Sequence, residues 1–197
     1  MEKNNLNQER VSIFIDGSNL YNSLKAIKEK IDFEKLISSL TGKRKLITAF
    51  YYIASLDINH NKDKYWEHQR FLENLRKIPN FKVVLCRMKK HKKNKKDFDF
   101  EVKGDDVCLT IDLISGAYEN LYDTAVIISG DEDFVPAVKK IQTLGKKAED
   151  AYFLSSSSDY LRQSCNSAIC LNKEIKKLRR IKKDPALSED HTGEIIN

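Results

Sequence analysis

Apolar positions along this chain fall into short contiguous runs that alternate with stretches of helical spacing, the pattern of strands and helices taken in turn around a mostly parallel sheet. Val11 to Ile15, VSIFI, ends in Asp16, Gly17, Ser18 and Asn19, after which Leu20, Leu24 and Ile27 recur at helical intervals. The design returns at Thr124. Val126, Ile127 and Ile128 are contiguous and β-branched, as in a strand covered on both faces. Ser129, Gly130, Asp131, Glu132 and Asp133 follow, then a helix through Phe134, Val138, Ile141 and Leu144 that stops at Gly145. Both strands deliver acids at their carboxyl ends, the edge where ligands gather in open α/β sheets. An aspartate at such a junction also caps helices, so capping and metal binding both stand for Asp16 and Asp131 at this point.

The intervening pattern predicts a helix over Asp32 to Leu40 ending at Gly42, a strand over Leu46 to Ser55, a helix over Asn61 to Ile78 stopped by Pro79, and a strand over Phe81 to Met88. Tyr51 and Tyr52 either stack on bases or sit in the core with hydrogen-bonded tips. Beyond Met88 the pattern dissolves into KKHKKNKKDFDFEVKGDD, which predicts a mobile, projecting hairpin or loop with Phe98 and Phe100 on a strand-like return arm. Gly104 opens a helix whose apolar stripe is assigned to Val107, Leu109, Ile111, Leu113 and Ile114. At about 100° per residue, Asp105 and Asp112 lie on nearly one face, and periodicity leaves open which of Asp105 and Asp106 turns inward. Asp112, set among apolar residues, needs a cation, a lysine or a backbone donor. A strand over Lys147 to Leu154, a serine-capped short helix over Ser155 to Cys165, a short strand over Ala168 to Leu171 and a basic helix over Asn172 to Lys183, with Ile175, Leu178 and Ile181 as its stripe, complete the chain. Asp184 to Asn197 reads as a disordered tail.

Composition narrows the class. The 197 residues suit one domain with a sizeable core, and 41% hydrophobic residues with three prolines argue for a folded chain. No apolar run reaches the length of a membrane span and the first residues lack a signal-peptide core, which predicts a cytoplasmic protein with no membrane partner. Four cysteines without CxxC spacing imply neither a disulfide framework nor a zinc site. The net charge is +6, yet Arg87 to Lys103 carries +5 and Asn172 to Lys183 carries +6, so the remainder is acidic at −5. An acidic body with two basic patches suits a protein that grips a polyanion at its edges and a cation at its centre. Solvated lysine runs serving only solubility are the alternative.

Three segments stand together in order: FIDGSNLY at Phe14 to Tyr21, KGDDVCLTIDLI at Lys103 to Ile114, and ISGDEDFVPAV at Ile128 to Val138. They resemble the NYN domain, in particular the LabA-like branch of the PIN-like nucleases, and the resemblance covers about Val11 to Leu171. It implies a PIN-like three-layer α/β sandwich, with a mostly parallel sheet of five or six strands between helices. The domain would span residues 8–171, followed by the basic helix and the tail.

Carried over by position, Asp16, Asp106, Asp131 and Asp133 look like the catalytic metal-binding carboxylates. Asn19 looks like the polar residue that orients the first of them, and Asp105, Asp112 and Ser129 stand as supporting groups or additional ligands. The acid at Asp105 departs from an apolar residue common among relatives and leaves a carboxylate able to compete with Asp106. Lysines fill the loop where some relatives carry cysteines, which argues against a zinc subsite.

The implied activity is endonucleolytic hydrolysis of single-stranded RNA with Mg²⁺ or Mn²⁺, because clustered carboxylates stay ionised around a hard dication that also activates water. Lys89, Lys90, Lys92, Lys93, Lys95, Lys96 and Lys103 would then guide the strand. A homodimer is allowed for. An RNA-binding or adaptor module with a weak or silent metal site is the runner-up. A haloacid-dehalogenase-type phosphohydrolase fits poorly, since Ser18 stands where its second acid belongs.

Overall fold

The structure, a computed structural model, describes residues 8–54, 56, 58, 61–92 and 98–180, with side chains at all of these except 87–92 and 98–103. Strand β1 (Arg10–Asp16) occupies the middle of a sheet ordered β4-β3-β2-β1-β5-β6-β7. From it the chain winds outward through β2 (Lys45–Ala54) and β3 (Phe81–Lys92), then returns to β1's other side with β5 (Thr124–Ile128), β6 (Lys147–Tyr152) and β7 (Ser167–Cys170). All these pairs are parallel; β4 (Phe98–Lys103) alone runs antiparallel, against β3. The sheet thus has six parallel strands of the expected kind and a seventh on the edge. That seventh is the return arm anticipated beyond Met88, and its pairing extends β3 to Lys92.

Helices cover both faces. On one lie α1 (Gly17–Ala26), α2 (Phe33–Thr41), α3 (Lys62–Arg76) and α7 (Leu171–Leu178), packed on Ile13, Ile15, Val126 and Ile128. On the other lie α4 (Asp105–Tyr118), α5 (Val135–Thr143) and α6 (Asp159–Ser164), packed on Phe14, Ala125 and Ile127. Because neighbouring side chains of a strand point to opposite faces, a contiguous run such as Val126-Ile127-Ile128 feeds both cores at once.

Asp32 caps α2, its Oδ1 accepting from the Glu34 and Lys35 amides at 3.0 and 3.2 Å, and Gly42 ends the helix at φ +58°. Replacing Asp32 by alanine is expected to cost about 1 kcal/mol of stability, read as a lower urea midpoint at unchanged slope.

Two local expectations give way. In α4, Leu109 and Leu113 are buried with Gly116 and Ala117, while Val107 and Ile111 face solvent, 60% and 56% exposed. Alternate positions are about 200° apart on a helix, so Val107, Leu109, Ile111 and Leu113 cannot form one stripe. The basic helix α7 ends at Leu178 rather than Lys183, because Arg179 turns extended, bridges Ile31 and pairs with Glu29. Ile181 and the tail from Asp184 lie outside the described residues, as do Lys93, Lys95 and Lys96 and the side chains of Lys89, Lys90, Lys92 and Lys103. Among the described residues, no helix is long and apolar enough to cross a membrane.

Candidate metal and phosphate site

The parallel register brings Asp16 to the carboxyl edge of β1 and Ser129 one residue past the end of the adjacent β5, at the point where the winding direction of the sheet reverses. Gly17 permits the immediate departure of α1, since a Cβ there would lie 2.5 Å from the Tyr52 carbonyl oxygen and 2.8 Å from the Tyr51 ring. The buried Asp16 carboxylate is held at both oxygens. Oδ1 accepts from the Asn19 amide at 2.9 Å, the capping role, and Oδ2 accepts from Ser129 Oγ at 2.9 Å. Ser129 Oγ also receives the Asp131 amide at 3.2 Å, so one hydroxyl ties the two strand ends together. Asp131 in turn caps a single 3₁₀ turn, Glu132–Phe134, by accepting the Asp133 amide at 2.9 Å. Pro136 then sits in the first turn of α5, where its missing N–H is not needed.

Capping and cation binding are therefore not alternatives at Asp16 or Asp131. Each carboxylate oxygen that accepts one N–H or O–H keeps a second lone-pair direction.

Helix α4 presents Asp105 and Asp106 to the same edge, Asp105 buried and Asp106 exposed. Burial, opposed by its two hydrogen bonds, raises the Asp16 pKa, and the charges of Asp105 and Asp131 raise it further. Burial pushes Asp106 up to about 6, and Asp105, Asp16, Asp131 and Asp133 all add to that push. Among the described residues, no lysine or arginine lowers either value. The opposite edge differs. There Arg10 donates to Asp123 at 2.7 Å and holds it down at about 2.

Other sequence candidates fall in different places. Asp112 is half-buried and accepts the Tyr52 hydroxyl at 2.9 Å, so its partner is a core phenol rather than a cation, lysine or backbone group. Tyr51 and Tyr52 are buried and offer no face to a base. Asn19 reaches Asp16 through its backbone amide; its side-chain Oδ1 instead accepts from Ser156 Oγ at 3.2 Å. Ser156 and Ser23 share a 2.6 Å hydroxyl contact.

Ser156 escaped the sequence reading because the run Ser155 to Ser158 looked like a helix cap, which Ser158 indeed supplies for α6. Ser156 seals the site from the side: a Cβ on Gly130 would lie 1.4 Å from its carbonyl oxygen. Beyond this contact opens a cleft of about 730 Å³, lined by Asn19, Asp131, Glu132, Ser157, Ser158 and Tyr160 among others.

The donor set suits a hard dication in kind, being all oxygen, and in charge, being anionic. Among the described residues, however, no three His, Cys, Asp or Glu side chains are grouped closely enough to hold an ion. The acids share an electrostatic field without forming a closed ligand cage.

Residues 10–172 match the NYN domain family. The fold superimposes, with a TM-score of 0.63, on the crystal structure of a protein of unknown function from Vibrio parahaemolyticus; identity is 23%, covering 87% of this chain and 98% of that one. At that identity the likeness bears on the fold alone. No curated protein matches the chain.

Proposed function

Since the chain belongs to the NYN domain family, part of the PIN-like nuclease superfamily, we propose that it is a metal-dependent endonuclease that hydrolyses single-stranded RNA. The observation that carries this reading is the shared field in which Asp105, Asp16, Asp131 and Asp133 all bear on Asp106 at the sheet's carboxyl edge. Asp16, Asp106, Asp131 and Asp133 would hold Mg²⁺ or Mn²⁺, with Asp105 beside them. A dication bound there would lower the pKa of a bound water and offset charge on the scissile phosphate.

The chain's own residues do the placing. Asn19 N–H and Ser129 O–H fix the Asp16 carboxylate, and Ser129 spaces Asp131 from it. Hydrolysis adds water across the phosphodiester and breaks P–O3′, leaving a 5′-phosphate and a 3′-hydroxyl. The lysines of the β3–β4 segment and the basic residues of α7 would contact flanking phosphates, giving an affinity that falls with salt.

Incubating end-labelled single-stranded RNA with protein and Mn²⁺ should give products that vanish with EDTA and drop at least a hundredfold with Asp131→Asn. Equal cleavage by wild type and variant rejects the proposal. A second reading, an RNA-binding module without turnover, draws on the lack of a closed ligand group among the described residues. It predicts salt-sensitive binding and no product under the same conditions.

A further inference from the structure

Tyr160 stands at the rim of the acidic edge, 52% exposed. It lines the 730 Å³ cleft that begins at Asp131, and also a second depression formed with Glu132, Asp133, Val135, Pro136 and Lys139. Lys139 Nζ donates to its hydroxyl at 3.0 Å and lies 5.2 Å from its ring centre, so the phenol is braced from α5 while the ring stays open to solvent. The arrangement places a flat aromatic surface and an ammonium next to the proposed cation site.

We propose that Tyr160 is the stacking platform for a nucleobase of the RNA strand next to the scissile phosphate, and that Lys139 receives a neighbouring phosphate. This rests on the endonuclease reading for its substrate class, but the contact itself needs no chemistry at the metal.

Charge decides which part of a nucleotide enters the cleft. Asp131, Glu132 and Asp159 line it, and they repel a phosphate. A base carries no charge. Carboxylates accept hydrogen bonds from the exocyclic amino groups of adenine, cytosine and guanine, and Ser157 and Ser158 can donate or accept at a base edge. Stacking on an aromatic ring is the usual way proteins hold an unpaired base, since every base offers a π-face. Volume agrees, since 730 Å³ lies within the range of small-ligand pockets. Glu132 is itself oriented, accepting from Ser158 Oγ at 3.1 Å, so the cleft wall is set before a ligand arrives.

The test uses the full chain and a short oligouridine RNA carrying one 2-aminopurine, whose fluorescence falls when it stacks. Binding is followed in Ca²⁺, with cleavage in Mn²⁺ measured separately. Wild type and Tyr160→Phe should quench the probe and bind with similar Kd; Tyr160→Ala should abolish the quench and raise Kd roughly fivefold to a hundredfold. Lys139→Ala should weaken binding while reducing its salt slope by about one ion, leaving the quench in place at saturation.

Unchanged quenching in Tyr160→Ala overturns the proposal, as does equal loss in Phe and Ala variants, which would make the hydroxyl rather than the ring the active part. Failure of the wild type to bind RNA overturns it too. If the quench behaves as expected but Mn²⁺ yields no product, the base subsite stands and the endonuclease reading falls; cleavage that persists in Tyr160→Ala at unchanged affinity gives the reverse.

Discussion

Asp150→Val is expected to stabilise the protein at pH 8 by several kcal/mol and to flatten its stability between pH 4 and 7. Asp150 lies in β6, paired in register with Ile127, and is fully buried, with neither carboxylate oxygen hydrogen-bonded among the described residues. Burial pushes its pKa up to about 7, opposed only by the charge of Arg162, which is itself engaged with Ser157 and Asp159.

In the unfolded chain the same group titrates near the ordinary aspartate value of about 3.9. Below that value both states hold the proton and nothing is lost. As pH rises toward 7 the unfolded state releases its proton and the folded state keeps it, so stability falls; above 7 the full penalty, on the order of 4 kcal/mol, is present. Valine suits a buried strand position and removes the charge. Urea unfolding at pH 4, 6 and 8 reads the slope directly. A variant with the same slope as wild type would show that Asp150 is not its source.

Asp106 and Asp16 add to the same slope, since burial first and then the charges of neighbouring acids raise both. Their share should disappear on adding Mg²⁺ and survive Asp150→Val, which separates the two origins.

Gly130→Ala should cost on the order of 3 kcal/mol and remove RNA cleavage together with it. The added methyl would lie 1.4 Å from the Ser156 carbonyl oxygen and 2.4 Å from its carbonyl carbon, both backbone atoms. No side-chain rotation relieves that collision, so the segment carrying Ser156 must move away. Its departure breaks the hydroxyl contacts to Ser23 and Asn19 and opens the side of the cleft. A lowered urea midpoint with lost activity is the expected result. Full activity at wild-type stability would mean that the segment can shift without consequence.

The strands and the acids at their ends were legible in the sequence because contiguous β-branched runs and abrupt polar stops are local signals. The helix of Asp105 and Asp106 was legible in place but not in facing, because a stripe chosen by hydrophobicity alone ignored the 100° step. Asp112's partner was hidden for a different reason. Tyr52 is sixty positions away and only the parallel sheet brings its hydroxyl within 2.9 Å. The serine run reads as part of a capped helix, yet of Ser156 and Tyr160 α6 holds only Tyr160, and Ser156 lies in the turn before its cap; their relation to Asn19 and Asp131 exists only after β5 and β6 align. Asp150 gave no warning, since a single acid in a strand pattern usually faces solvent.

Within the sheet, the two outward windings meet along one line, the pairing of Val11 through Ile15 with Thr124 through Ile128. Asp16 and the Asp105–Asp106 pair belong to the portion before that seam, Asp131 and Asp133 to the portion after it. The proposed metal site is bipartite, and neither piece holds all of its carboxylates. A nascent chain therefore brings all of these acids to one edge only once the second portion has docked on the first.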